Sequence, residues 1–402
     1  MSAPEVHPDP FFELGGDFQW NAYVGRQSDE TAYADGYMEA ALLMANAVIE
    51  GRLMGSRDTL VMPILYNTRH GVELALKDAV RDLHRMGLLR EGPAIDHDVA
   101  LPWRLLNEGR FGDETLREII TTLEPYVLSL SRVDADGQSF RYARRTDEEI
   151  SMADRSLVNL QRIRDSLAPL NEQLRSLQWR VAELFEERAT GSFTTECSRR
   201  DLVAIARRLP PRSEWASDAF DIARAAVREQ YGLSSNAFTR ALNVIQTNRE
   251  MGRIIGLEFA LAHLSDDKVL RVLELWGPIW PLRAPRAPGP ILLAEMMSLE
   301  AIQEAARVQT AADTALLLEL GDDELADLET VYQLGRGSAY PEHYDEQLEL
   351  RKNEHRVRGN RWELVHYLTG KGNLASSFAR GADRLGRPSL AARIEAWRPD
   401  LF

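Results

Sequence analysis

The stretch Tyr66-Asn67-Thr68-Arg69-His70-Gly71-Val72-Glu73-Leu74-Ala75-Leu76-Lys77 places charged groups where a helix would otherwise bury apolar ones. Leu65, Val72, Leu76, Val80 and Leu83 recur at helical spacing and predict a core-facing stripe, with Arg69 inside it. The adjacent row carries Tyr66, His70, Glu73 and Lys77 on successive turns. A buried charge must find a partner, because leaving it alone is strongly unfavourable. This helix therefore either joins a polar network that fixes the packing or lines a site.

Working outward, the N-terminal side reads as a second helix from Asp29, with Tyr33, Tyr37, Ala40, Ala41, Met44 and Val48 keeping period and Gly51 at the expected stop. Before it, the aromatics Phe11, Phe12, Phe18, Trp20 and Tyr23 predict an irregular arm packed on the body. On the C-terminal side, Asp113 is read as the N-cap of a helix through Leu123, and Asp134-Ala135-Asp136-Gly137 as a turn. Phe140 to Arg145 follows as an exposed basic and aromatic segment. Leu157, Leu160, Ile163, Leu167, Leu170, Leu174, Leu177, Val181 and Leu184 predict one long helix over 154–188, interrupted at Pro169. Beyond it, helical patterns are read over 216–230, 236–264, 266–276, 291–334, 343–369, 376–385 and 390–396, and period-two alternation is absent. The expected fold is all-α, a two-lobed helical bundle. Its parts are an N-terminal arm over residues 1–28, a helical domain over 29–190, and a C-terminal helical domain over 191–402 with a Pro-rich loop at 277–290.

Composition narrows the function classes. A net charge of -14 provides no global field toward nucleic acid or anionic membrane, although a local basic patch is compatible with it. Only four of the basic residues are lysines: Lys77, Lys268, Lys352 and Lys371. Arginine suits bidentate phosphate binding, and biased coding gives the same composition. With Cys197 as the sole cysteine, an internal disulfide and a cysteine-based metal cluster are excluded. No secretory signal and no apolar run of membrane-spanning length is read, so the expected location is the cytoplasm, with no membrane partner.

Arg69 to Lys77, then Asp96-His97-Asp98-Val99, then Phe140-Arg141-Tyr142 ahead of a long helix together resemble the helical arrangement of HEPN-type proteins of bacterial toxin and phage-defence loci, over about residues 30–190. The resemblance implies metal-independent RNA cleavage by an arginine followed a few residues later by a histidine, at the interface of a homodimer. The histidine would move the 2′-hydroxyl proton or hold a reacting oxygen, and the arginine would stabilise the phosphorane charge. RNA, a second copy of the chain and a protein of the same locus are the partners it implies, and no cofactor.

This chain departs from the family because no histidine lies between His97 and His263, so the long helix cannot carry the pair. Pairs near the right spacing are Arg90 with His97, Arg336 with His343, and Arg361 with His366. The candidate catalytic residues are Arg361 and His366, whose apolar filling resembles the family motif, together with Arg69 and His70. Positions five apart on a helix sit roughly 140° around from each other, so Arg361 and His366 need a helix break or a second chain to converge. Otherwise they belong to an exposed basic helix with Trp362 and Val365 in the core. Candidate RNA-binding residues are Arg141, Tyr142, Arg144 and Arg145, which combine rings with guanidinium groups, and Arg356 and Arg358. Asp96, His97 and Asp98 read as caps and turn formers, since no second cluster at ligand spacing supports a metal. Two functions stay open: an RNA-cleaving defence or toxin protein, and a non-catalytic helical scaffold, sensor or partner-binding subunit.

Overall fold

The stretch around Arg69 lies in α2 (Arg57–Arg85), which keeps its course through Pro63 and buries Ile64, Val72, Leu76, Val80 and Leu83. Ile64 takes the stripe position expected of Leu65, which is half-buried. In this computed structural model the described residues are 11, 16–23, 30–93, 97–134, 137–142, 151–152, 155–279 and 299–397. They form sixteen α-helices and no strand. None of these helices is long and apolar enough to cross a membrane.

Against α2 packs α1 (Glu30–Glu50), and its buried face is Ala34, Met38, Ala41, Ala45 and Val48. That face is one position round from the expected one, and Tyr33 is exposed. Gly71 explains the offset. A Cβ there would lie 2.8 Å from Met38 Cγ and 3.2 Å from the Ala34 carbonyl, so the helices meet through small residues, and the larger Tyr33 turns outward. The first unit continues with α3 (Ala100–Glu108), α4 (Glu114–Val133) from Thr115 on, and α5 (Leu160–Ala189) to Glu183. Asp98 accepts the Ala100 N–H at 2.8 Å in the turn that leads into α3, whose N-cap position is Val99, so it acts as a turn former.

Three expectations for this half are corrected. Phe11, Phe18, Trp20 and Tyr23 are all exposed, so the described part of the arm is not packed. Asp17 accepts the Gln19 N–H and holds a short 3-10 turn locally, which buries no residue. Leu157 precedes the long helix and is exposed, leaving the buried stripe at Leu167, Leu170, Leu174, Leu177, Val181 and Leu184. Phe140 is buried.

The second unit comprises residues 111–114 and 184–402. Its boundary falls inside α5, ahead of the stretch 191–196. The last turn of α5 is tied to the chain that follows it: Arg200 donates its backbone N–H to Glu187, and the Arg188 guanidinium stacks 4.0 Å from the Phe193 ring centre. Then come α6 (Arg199–Arg208), α7 (Asp218–Tyr231), α8 (Ser235–Thr247), α9 (Arg249–Ile254) and α10 (Asp266–Trp276). The helix expected over 236–264 is broken at Asn248, whose side chain caps α9 by accepting the Met251 N–H. The expected Pro-rich loop lies outside the described residues from position 280 on. It is followed by α11 (Leu299–Glu319), α12 (Asp322–Arg336), α13 (Tyr344–Arg358), α14 (Arg361–Thr369), α15 (Leu374–Arg384) and α16 (Pro388–Trp397) around a core that includes Trp276, Tyr332, Leu368 and Phe378. The helix expected over 343–369 is split by left-handed Gly359 and by Asn360, which accepts the Glu363 N–H.

Asp113 and Asp201 are both buried in this unit. Asp201 closes a capping box with Ser198 and accepts the Glu114 N–H at 3.2 Å. Burial, and then the charge of Asp113, push its carboxyl up to about 7. The folded protein thus holds this proton more tightly than the unfolded chain. The contribution is complete below the ordinary value of 3.8 and is lost as pH rises through about 7. Urea unfolding is expected to show a smaller stability loss between about pH 5 and about pH 8 in Asp201→Asn than in the parent, and equal losses would refute the assignment.

Candidate functional site

Four groups on two segments converge on one carboxylate. Glu73, 2% exposed, accepts from Arg69 Nη1 at 2.6 Å and Lys77 Nζ at 2.8 Å, both from its own helix. His97, in the loop before α3, brings Nδ1 to 3.0 Å from Oε1, and His70 brings Nδ1 to 3.5 Å from Oε2. Burial alone would raise the Glu73 carboxyl. The hydrogen bonds from His70, Lys77, His97 and Arg69 outweigh it and hold the group well below the usual carboxylate range.

Arg69 is buried and fully committed. Besides Glu73 it donates through Nε to the Asp134 carbonyl at 2.9 Å, faces the Asp134 carboxylate at 3.6 Å, and donates to the His97 carbonyl. It therefore sets the position of both the His97 loop and the turn after α4. In that turn Asp134 accepts the backbone N–H groups of Ser139 and Phe140. Gly137 has φ +76°, and a Cβ there would press to 3.1 Å from the guanidinium. Arg141 leaves the turn, donates back to the Gly137 carbonyl, and lies 5.5 Å from the Tyr66 ring centre and 5.7 Å from that of Tyr142.

A carboxylate only accepts, so the proton on each imidazole's near side sits on Nδ1 and a neutral ring keeps Nε2 as a free base. His97 is the more open, with 58% of its side chain exposed against 19% for His70. The His70 ring stacks on Tyr66 at 5.7 Å and meets Tyr37 edge-on at 4.5 Å, which fixes its plane. Among the described residues no group of three or more His, Cys, Asp or Glu is placed to hold a metal.

Of the residues expected from sequence, Arg69, His70, Arg141 and Tyr142 are brought to this one region, with Arg69 as a buried strut and not an exposed catalytic group. Arg144 and Arg145 lie outside the described residues. His97, read from sequence only as a cap or turn former, is the member of this cluster that the sequence reading did not place there. Its signal was a histidine in the irregular segment after Gly92-Pro93, since site residues concentrate on loops held by rigid elements.

Arg361 and His366 do not converge. Arg361 donates to the Leu320 carbonyl at 2.5 Å and pairs with Asp322 at 3.0 Å, just beyond the C-terminal end of α11. His366 meets buried Asp313 on α11 at 2.8 Å and stacks on Trp362 at 4.6 Å. Trp362, expected in the core, is 44% exposed, whereas Val365 is buried as expected. Both polar side chains thus fasten α14 to neighbouring structure. Arg356 and Arg358 are exposed on the last turn of α13. No protein-family model, no curated protein and no solved structure matches the chain.

Proposed function

We propose that the chain is a metal-independent endoribonuclease of HEPN-like type whose acid–base centre is His70 and His97, both oriented by Glu73. The observation that carries this reading is the approach of two imidazoles, from α2 and from the loop before α3, to a single buried carboxylate. One imidazole takes the proton of the 2′-hydroxyl as that oxygen bonds to the adjacent phosphorus. The P–O5′ bond breaks, and the other imidazole supplies the proton to the departing 5′ oxygen. The products are a 2′,3′-cyclic phosphate and a 5′-hydroxyl, and no external redox partner or water is consumed. Arg141 offers a cation to the phosphate, while exposed Tyr142 offers a ring on which an unpaired base stacks. As in the resembled family, a second copy of the chain belongs to this proposal.

A second reading is favoured by the burial of Arg69, Glu73 and Asp134: the network locks the packing of a scaffold or partner-binding subunit and carries out no chemistry. Incubation with single-stranded RNA separates the two. Cyclic-phosphate ends that still form in chelator, with a DNA strand of the same sequence left intact, are expected for the nuclease, because DNA lacks the attacking hydroxyl. Uncut RNA, or equal cutting of both strands, leaves the scaffold.

A further inference from the structure

The second unit holds a groove of about 1280 Å³ that takes no part in this chemistry. One wall is α13, with Arg351, Lys352, His355, Arg356 and Arg358; the facing side comes from the first turns of α12 and α14. Most of the wall's cations are occupied, Arg351 by Glu354 at 2.5 Å and Lys352 by Glu349 at 2.8 Å. Arg356 and Arg358 differ: neither makes a side-chain hydrogen bond or ion pair among the described residues. Deeper in, half-buried His355 is fixed by Nε2 against buried Glu329 at 2.7 Å. Tyr367 and Leu364 add aromatic and apolar surface.

We infer that this groove binds a phosphorylated small molecule of nucleotide size, its phosphates held by Arg356 and Arg358 and its planar part resting toward Tyr367. Size and the two uncommitted arginines point to that class. The volume exceeds the roughly 300–1,000 Å³ of ordinary small-molecule sites, which leaves room for a base, a sugar and several phosphates. Arg356 and Arg358 lie two residues apart, on different sides of the last turn of α13, and both border the groove, so each meets a different phosphate of a polyphosphate, for which arginine's planar fork is suited. A continuing nucleic-acid strand fits less well, because Asp322, Asp323 and Glu363 also border the groove and would repel each further phosphate.

Calorimetric titration of the full chain with ATP, and separately with inorganic tripolyphosphate, tests this. Saturable binding of ATP at one site per chain is expected, with tripolyphosphate binding more weakly and Arg356→Ala/Arg358→Ala weakening both by about tenfold or more. Both arginines are exposed, so the double variant is expected to keep the parent's melting temperature, and Arg356→Lys/Arg358→Lys is expected to retain part of the affinity. His97→Ala is expected to bind ATP as the parent does, which separates this site from the proposed nuclease centre. The proposal is overturned if neither compound binds at millimolar concentration, or if the arginine variant binds ATP unchanged. It is equally overturned if only a short RNA strand binds in an arginine-dependent way.

Discussion

Arg69→Ala is expected to destabilise the first unit by about 3 kcal/mol, near the lower end of what breaking a buried ion pair costs. The cause is the state in which the substitution leaves the two carboxylates it faces. Glu73 and Asp134 are 2% and 0% exposed, and neither can recover by turning to water. Two facts keep the loss from the upper end. Glu73 retains Lys77 at 2.8 Å, and Asp134 retains the backbone N–H of Ser139 at 2.7 Å. At roughly 2–4 °C per kcal/mol for a unit of this size, the melting temperature is expected to fall by about 6–12 °C. Arg69→Lys is expected to be intermediate, since an ammonium restores charge but cannot reach Glu73, the Asp134 carbonyl and the His97 carbonyl together.

The pH dependence has a definite sign. Glu73 lies below its ordinary value in the folded chain, so its contribution is present above the usual carboxylate range and is lost as pH falls through and below it. Removing Arg69 deletes one of the four donors that hold it there, so the acid limb of stability is expected to be shallower in the variant. An unchanged melting temperature in Arg69→Ala would remove the central strut from this account of the fold.

Helical periodicity made the architecture legible because most helices here bury one apolar stripe, and it placed Val72, Leu76, Val80 and Leu83 correctly. It failed where size outweighs hydropathy. The buried face of α1 is led by alanines, which carry a weak hydrophobic signal yet are what the approach to Gly71 requires, so the heavier Tyr33 misdirected the reading. It failed also where a polar residue ends a helix inside a polar run, as at Asn248 and at Gly359-Asn360; a glycine followed by a capping asparagine was a usable stop-and-start signal. Within α2 the row His70, Glu73, Lys77 was visible, because three- and four-residue spacings are local. The arrival of His97 and Asp134 at that row depends on how loops return over the bundle, and no periodicity encodes it. The same limit bears on Arg361 and His366: the motif they resemble is a local spacing, and within one chain the two side chains go to different neighbours.

His97→Ala is expected to lower RNA cleavage by two to four orders of magnitude, roughly the contribution of a positioned acid or base, while the fold survives. Stability and chemistry separate at this residue. Its side chain is 58% exposed, and without it Glu73 keeps Arg69 and Lys77, so the structural loss is about 1 kcal/mol or less. His70→Ala is expected to lose activity to a similar degree with a larger drop in melting temperature, since its ring is fixed between Tyr66 and Tyr37. A mere packing role predicts the reverse order, with activity following stability. The pH profile adds a readout that packing cannot mimic: the parent's cleavage rate should be bell-shaped, and each single histidine variant should lose one limb of the bell. His366→Ala is the control, because its partner is Asp313 and it lies in the other unit. Should His97→Ala cut RNA as fast as the parent while His366→Ala does not, the acid–base centre proposed around Glu73 is wrong and the C-terminal helix carries the chemistry.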